Sequence, residues 1–209
     1  MFLFLLLTSP VSIAVECSDG QTAEARLPES VGGTLSAKSC PASDNDGNIT
    51  VTVFLKGVET TVQTKYESNA YVLRLDTNIR FDAGSPVGIG VSTGKGRDGT
   101  GMHYWKMLPT GTLIDLGEAP ELVRDKFIPN AYSTLISGTG RYQSTRYFYE
   151  VRNNHLVPTR LVGFHPKDRD TYVAELVKIS PSGRTVLLSR KTLPAKMVDP
   201  CQTGKTICW

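Results

Sequence analysis

Thr145-Arg146-Tyr147-Phe148-Tyr149-Glu150-Val151-Arg152-Asn153-Asn154-His155, continuing through Phe164, decides the fold. Tyr147, Tyr149 and Val151 alternate with Arg146, Glu150 and Arg152, the period-two pattern of a strand whose two faces meet different surroundings. Asn153-Asn154 suits a type I′ turn, because Asn tolerates the positive φ that both central residues need. A strand over 145–152 is therefore expected to fold back on a second strand over 155–164, with Arg146, Glu150 and Arg152 on the polar face.

The same signals recur on both sides of this hairpin. Downstream, Tyr172 to Ile179 and Thr185 to Leu193 flank Pro181-Ser182-Gly183. Upstream, Ile49 to Leu55 turns at Lys56-Gly57 into Val58 to Lys65. Tyr71 to Leu75, Val87 to Val91, Met102 to Leu108 and Thr112 to Leu116 follow, the last two joined by Pro109-Thr110-Gly111. One helix is expected, Pro120 to Lys126, with Pro in the first turn and Glu121 near its positive end. Strands without long crossover helices pair antiparallel. The expected fold is mainly β, an antiparallel sandwich or a barrel or propeller-like set of sheets with one short helix.

The chain has 209 residues, 40% hydrophobic and 21% charged, with a formal net charge of +3. That composition fits a folded protein and excludes a disordered tail, a collagen or a multi-span membrane protein. Met1 to Ala14 is uncharged and Phe2 to Leu7 continuously apolar, a run short of the roughly 20 residues needed to span a bilayer. Ser12-Ile13-Ala14 places small residues where a signal peptidase cuts, so residues 1–14 are expected to be a removed signal peptide. Residues 15–46 then form a disulfide-tied N-terminal segment, and 47–209 an antiparallel β domain closed by a C-terminal disulfide clip.

The cysteines agree with export to a periplasmic or secreted location. Cys17, Cys40, Cys201 and Cys208 all lie in the expected mature chain, and an even count in a secreted protein favours disulfides. Three pairings are open. The local one joins Cys17 to Cys40 and Cys201 to Cys208, closing a short loop at each end of the chain. Zinc would need paired C-x-x-C spacings, and the sequence has none.

Several short motifs lose their meaning in a strand context. Gly90-Val91-Ser92-Thr93-Gly94 has the spacing of a nucleophile elbow, but the Gly-rich run after it cannot start the required helix. Gly94-Lys95-Gly96-Arg97-Asp98-Gly99 fits a dinucleotide fingerprint, but Met102-His103-Tyr104-Trp105 reads as a strand, which supplies no amides for a pyrophosphate. Asp44-Asn45-Asp46-Gly47-Asn48 resembles half a calcium loop, yet Ala42 and Val53 occupy the first and twelfth ligand positions, so a turn is expected. No catalytic set, cofactor or metal site is assigned.

Charge is distributed unevenly. Residues 1–140 carry 11 Lys or Arg against 15 Asp or Glu, whereas 141–209 carry 12 against 5, a net of +7. Arg141, Arg146, Arg152, Arg160, Lys167 and Arg169 lie on or beside the late strands and would suit an anionic partner. Nucleic acid is not expected for an exported chain of modest net charge, and no transmembrane segment remains in the mature chain.

Val91 to Gly94 through Trp105, Pro109-Thr110-Gly111, Ile114 to Gly117, Ser137-Gly138-Thr139-Gly140-Arg141-Tyr142 and the hairpin from Tyr147 to Val162 together resemble bacterial periplasmic β-proteins. Those proteins are related to FG-GAP-like repeat proteins, and some resemble lysozyme inhibitors in fold. Some lysozyme inhibitors carry a Ser-Gly-x-x-Tyr loop that enters the enzyme's cleft, and the loop here is one residue longer. The resemblance implies an exported envelope protein that binds a protein or an anionic envelope component and inhibits or neutralises a cell-wall-active enzyme. Ser137, Gly138, Arg141, Tyr142 and Arg146 are its expected binding residues. The alternatives are a serine hydrolase using Ser92 and a structural envelope component.

Overall fold

The computed structural model describes residues 17, 19–43, 46–67, 72–81, 87–96, 99–138 and 141–209. Among these, three antiparallel sheets follow one another along the chain. The first contains β1 (Thr22–Arg26), β2 (Thr34–Pro41), β3 (Asp46–Leu55) and β4 (Val58–Glu67) in that spatial order. The second contains β5 (Leu75–Asp76), β6 (Val87–Gly96), β7 (Gly99–Met107) and β8 (Leu113–Pro120). The third contains β9 (Val123–Arg124), β10 (Tyr132–Ser137), β11 (Ser144–Arg152), β12 (His155–Pro166), β13 (Thr171–Ile179) and β14 (Thr185–Pro194), with β14 and β9 at its two edges. Each strand pairs with its neighbours in sequence, so every sheet is a meander. The protein is mainly β, and the single α-helix among the described residues, α1 (Val198–Gln202), lies behind a 3-10 turn at Ala195–Met197.

Turn chemistry sets the register. Lys56 and Gly57 take φ of 51° and 82°, and Asn153 and Asn154 take 50° and 59°, the paired positive values of type I′ hairpins. The β11–β12 hairpin pairs Arg152 with His155, as the sequence pattern requires.

The second sheet is covered on both faces. Val87, Ile89, Val91, Trp105 and Met107 pack with Leu35, Ile49, Val51 and Val53 of the first sheet. Met102, Tyr104 and Leu116 pack with Phe81 and with Tyr132 and Leu156 of the third. Glycine makes the second contact possible. A Cβ on Gly88 would lie 2.6 Å from the Phe81 ring, and one on Gly90 would lie 2.7 Å from the Tyr104 ring.

One expectation needs correction. Residues 120–126 form no helix: Pro120 ends β8 and Val123–Arg124 is β9. Asp125 redirects the chain there, its Oδ1 accepting the amides of Phe127 and Ile128, both at 2.8 Å. Within the region 15–46, β1 and β2 belong to the first sheet.

Both local disulfides are formed, Cys17–Cys40 and Cys201–Cys208. The expected signal peptide, Asp44 and Asn45 of the calcium-like turn, and Thr139 and Gly140 lie outside the described residues. Among the described residues no helix is long and apolar enough to cross a membrane. No group of three or more His, Cys, Asp or Glu among them could hold a metal ion.

Candidate functional site

One cross-strand row in the third sheet builds the site. Thr145 of β11 pairs with Gly163 of β12, Gly163 with Glu175 of β13, and Glu175 with Arg190 of β14, so all four share one face. Gly163 leaves a gap in this row. The ring of Tyr142, arriving from the β10–β11 connection, lies where a Cβ of residue 163 would project. From there its hydroxyl donates to Glu175 Oε2 at 2.8 Å.

Glu175 is fully buried, and a buried carboxylate is costly unless its oxygens are engaged. Arg190 donates to Oε1 through Nε at 2.8 Å and through a terminal nitrogen at 2.5 Å. Arg141 pairs with Oε2. The guanidinium of Arg141 also lies 4.8 Å above the Tyr142 ring, a cation–π contact. Two arginines thus converge on one carboxylate, leaving one net positive charge. Their side chains remain 63% and 62% exposed.

Beside this cluster is a cavity of about 390 Å³ lined by Arg141, Tyr142 and Arg190 and floored by Leu161, Val177 and Leu187. The floor is the adjacent row of the same face, with Leu161 opposite Val177 and Val177 opposite Leu187. An apolar floor with convergent cations at its rim can hold an aliphatic group and a carboxylate or phosphate at once.

The sequence-predicted binding residues are divided by this geometry. Arg141 and Tyr142 line the cavity. Ser137 and Gly138 are exposed in the same hairpin, where Gly138, at φ of 70°, donates its amide to the Gln143 carbonyl at 2.8 Å.

Arg146, expected on a polar face, is instead 4% exposed, on the opposite face of the sheet from Thr145. It donates to Asp125 Oδ2 at 2.5 Å, to Ser133 Oγ at 3.1 Å and to the Cys201 carbonyl at 3.1 Å. Its guanidinium lies 5.2 Å from the Phe148 ring centre and fills the space beside Gly204 that a Cβ would take. The reason is the C-terminal clip. Val198, Cys201 and Cys208 pack with Phe148, Val162 and Phe164 and so close the face that alternation alone left open. Burial pushes the Arg146 guanidinium below its ordinary range, opposed by the Asp125 charge beside it.

Glu175 and Arg190 were absent from the expected set. A glycine inside an otherwise β-branched and apolar strand, at 163, was the available sign of a close approach by another group.

Ser92 belongs to the framework. It is 1% exposed; its Oγ donates to the Val72 carbonyl at 2.8 Å and accepts the Arg74 amide at 2.7 Å. It pairs with Met102 while His103 pairs with Val91, so the hydroxyl and that imidazole point to opposite faces. His103 has other partners. Its Nε2 lies 2.8 Å from Asp115 Oδ1 and its Nδ1 3.0 Å from Thr64 Oγ1, and its ring stacks on Trp105 at 4.3 Å. A carboxylate only accepts, so Nε2 carries the proton toward Asp115 and, in the neutral ring, Nδ1 accepts from Thr64. This chain joins β4 of the first sheet to β7 and β8 of the second.

No family model matches the chain, and no curated protein matches it. It is similar to a solved structure of a Xanthomonas protein described as type IV secretion system related, with 13% identity and a TM-score of 0.50. The match covers 81% of this chain and 99% of that one, and at this identity it is a likeness of fold.

Proposed function

We propose that this chain is an exported envelope protein, periplasmic or secreted, that binds a protein or an anionic envelope component through the Arg141–Tyr142–Arg190 cavity and inhibits a cell-wall-active enzyme. The observation that carries this reading is the surplus of cation at the cavity rim: two exposed guanidiniums serve one buried carboxylate. Most glycoside hydrolases act through a pair of carboxyl groups in a cleft, which a rigid, net positive rim would complement. Two formed disulfides suit an oxidising compartment, and the fold likeness is to a protein described as secretion-system related.

Peptidoglycan-lysis assays with a panel of retaining and inverting muramidases test the proposal. The protein should slow at least one of them, and Arg141→Ala should weaken that inhibition about ten-fold, the loss of roughly one charge-assisted contact. A panel unaffected by the wild-type protein contradicts the inhibitory role.

Hydrolysis is the alternative activity, and one observation favours it: Thr64, His103 and Asp115 have the connectivity of a nucleophile, base and orienting acid. A fluorophosphonate probe separates the two proposals. Covalent labelling of Thr64 or Ser92 would favour the hydrolase, and an unlabelled protein that inhibits a muramidase would favour the binding role.

A further inference from the structure

β14 ends the third sheet. Its inner edge pairs with β13, and among the described residues no strand pairs with its outer edge. Such an edge offers a row of backbone donors and acceptors to any extended chain, and proteins usually guard it with charge, proline or bulges. Here the guard is unequal. The C-terminal half carries Arg190, Lys191 and Pro194, whereas the N-terminal half carries no charge from Thr185 to Leu188, has only the register shift at Leu188 to interrupt it, and exposes three consecutive aliphatic residues, Val186 at 57%, Leu187 at 49% and Leu188 at 52%. This less guarded half also reaches the cavity, since Thr185 and Leu187 line it together with Arg190.

We propose that the outer edge of β14 is a strand-addition site for an extended, acidic segment of a protein partner. The added strand gains backbone hydrogen bonds along the edge, while alternate side chains turn toward the cavity face. An aliphatic side chain then lies beside Leu187 and a carboxylate beside Arg190 and Arg141. Charge selects this occupant over a second copy of the chain. Arg184 to Pro194 contains Arg184, Arg190 and Lys191 and no Asp or Glu, so self-pairing would set cations against cations. The proposal rests on the cavity being the binding centre and adds the backbone mode and the partner's chemistry.

The test uses the full chain and, as the probe, a blocked heptapeptide that carries valine and glutamate on one strand face with threonine between them, Thr-Val-Thr-Glu-Thr-Glu-Thr, followed by hydrogen exchange and fluorescence anisotropy. The peptide should slow exchange of the β14 amides. Methylating its alternate backbone nitrogens, or replacing Val186 and Leu188 together by lysine (V186K/L188K), should weaken binding about ten-fold or more, equivalent to about 1.4 kcal/mol. The lysine variant should keep the wild-type melting curve. Unprotected β14 amides, or equal binding of the methylated peptide, overturns strand addition. If that equal binding is lost in Arg141→Ala, the cavity remains an anion site without the edge. If neither peptide binds and Arg141→Ala leaves muramidase inhibition unchanged, the cavity reading falls as well. A dimer in sedimentation that V186K/L188K abolishes would assign the edge to a second copy and overturn the peptide occupant.

Discussion

The two faces of the third sheet each set a fully buried carboxylate against arginine, and they do so in opposite ways. On one face Asp125 meets a single guanidinium, Arg146, whose side chain is 5% exposed and which the C-terminal clip encloses. On the other, Glu175 meets two, Arg141 and Arg190, both more than half exposed at the rim of a cavity. A matched, enclosed pair has no capacity left for a ligand. A carboxylate with two cations can spare the outward donors of both, and each cation can be lost without orphaning the acid. The comparison separates an arginine that holds the fold from arginines that are available to a partner, although all three lie within or beside the same sheet.

The largest effect is expected on the enclosed face. Arg146→Met leaves Asp125 buried without its counter-charge and should cost about 3–5 kcal/mol in urea denaturation. Adding Asp125→Asn should recover part of that loss, because the orphaned charge is then removed. A loss below about 1 kcal/mol would show that Arg146 is not the structural member of the pair. Next in size is the clip. Replacing Cys201 and Cys208 by serine should cost about 2 kcal/mol, since the bridge closes a short loop, and should loosen the segment whose Cys201 carbonyl accepts from Arg146.

On the open face, Gly163→Ala should displace the Tyr142 ring at a cost of about 1–3 kcal/mol and reduce muramidase inhibition together with stability. Retained inhibition would mean that Tyr142 does not shape the cavity. The smallest effect concerns pH. Burial, helped by the nearby Tyr147, pushes the Tyr149 phenol up to about 12 from its ordinary 10.0. The folded state keeps this proton after the unfolded chain has released it. Stability that is intact below pH 10.0 should therefore decline as pH rises toward about 12, and Tyr149→Phe should flatten that decline in thermal melts.

Much of the architecture was legible in the chain. Period-two alternation located β3, β4, β6, β7, β8 and β11 to β14, helped at β3–β4 and β11–β12 by the paired turn residues Lys56-Gly57 and Asn153-Asn154. β2 was not legible: Thr34 to Pro41 is mostly small and polar, and burial of Leu35 and Ala37 with residues of the second sheet, together with pairing to β1 and β3, makes it a strand. The supposed helix at 120–126 failed because the Asp125 side chain satisfies the following amides and turns the chain toward β10.

The site was half legible. Arg141 and Tyr142 stand in a Gly-rich hairpin, where exposed function is expected. Glu175 and Arg190 become partners through the β13–β14 register, and Arg146 finds Asp125 across 21 residues of sequence. Alternation names the face of a residue, but it does not say what covers that face.

The most direct test of the difference between the two faces is Arg141→Ala, with equilibrium urea unfolding and muramidase inhibition measured on the same preparation. Arg190 still serves Glu175 in this variant, so stability should stay within about 1 kcal/mol of wild type while inhibition weakens about ten-fold. A loss of several kcal/mol, or inhibition that is unchanged, would contradict the assignment of the open arginines to binding.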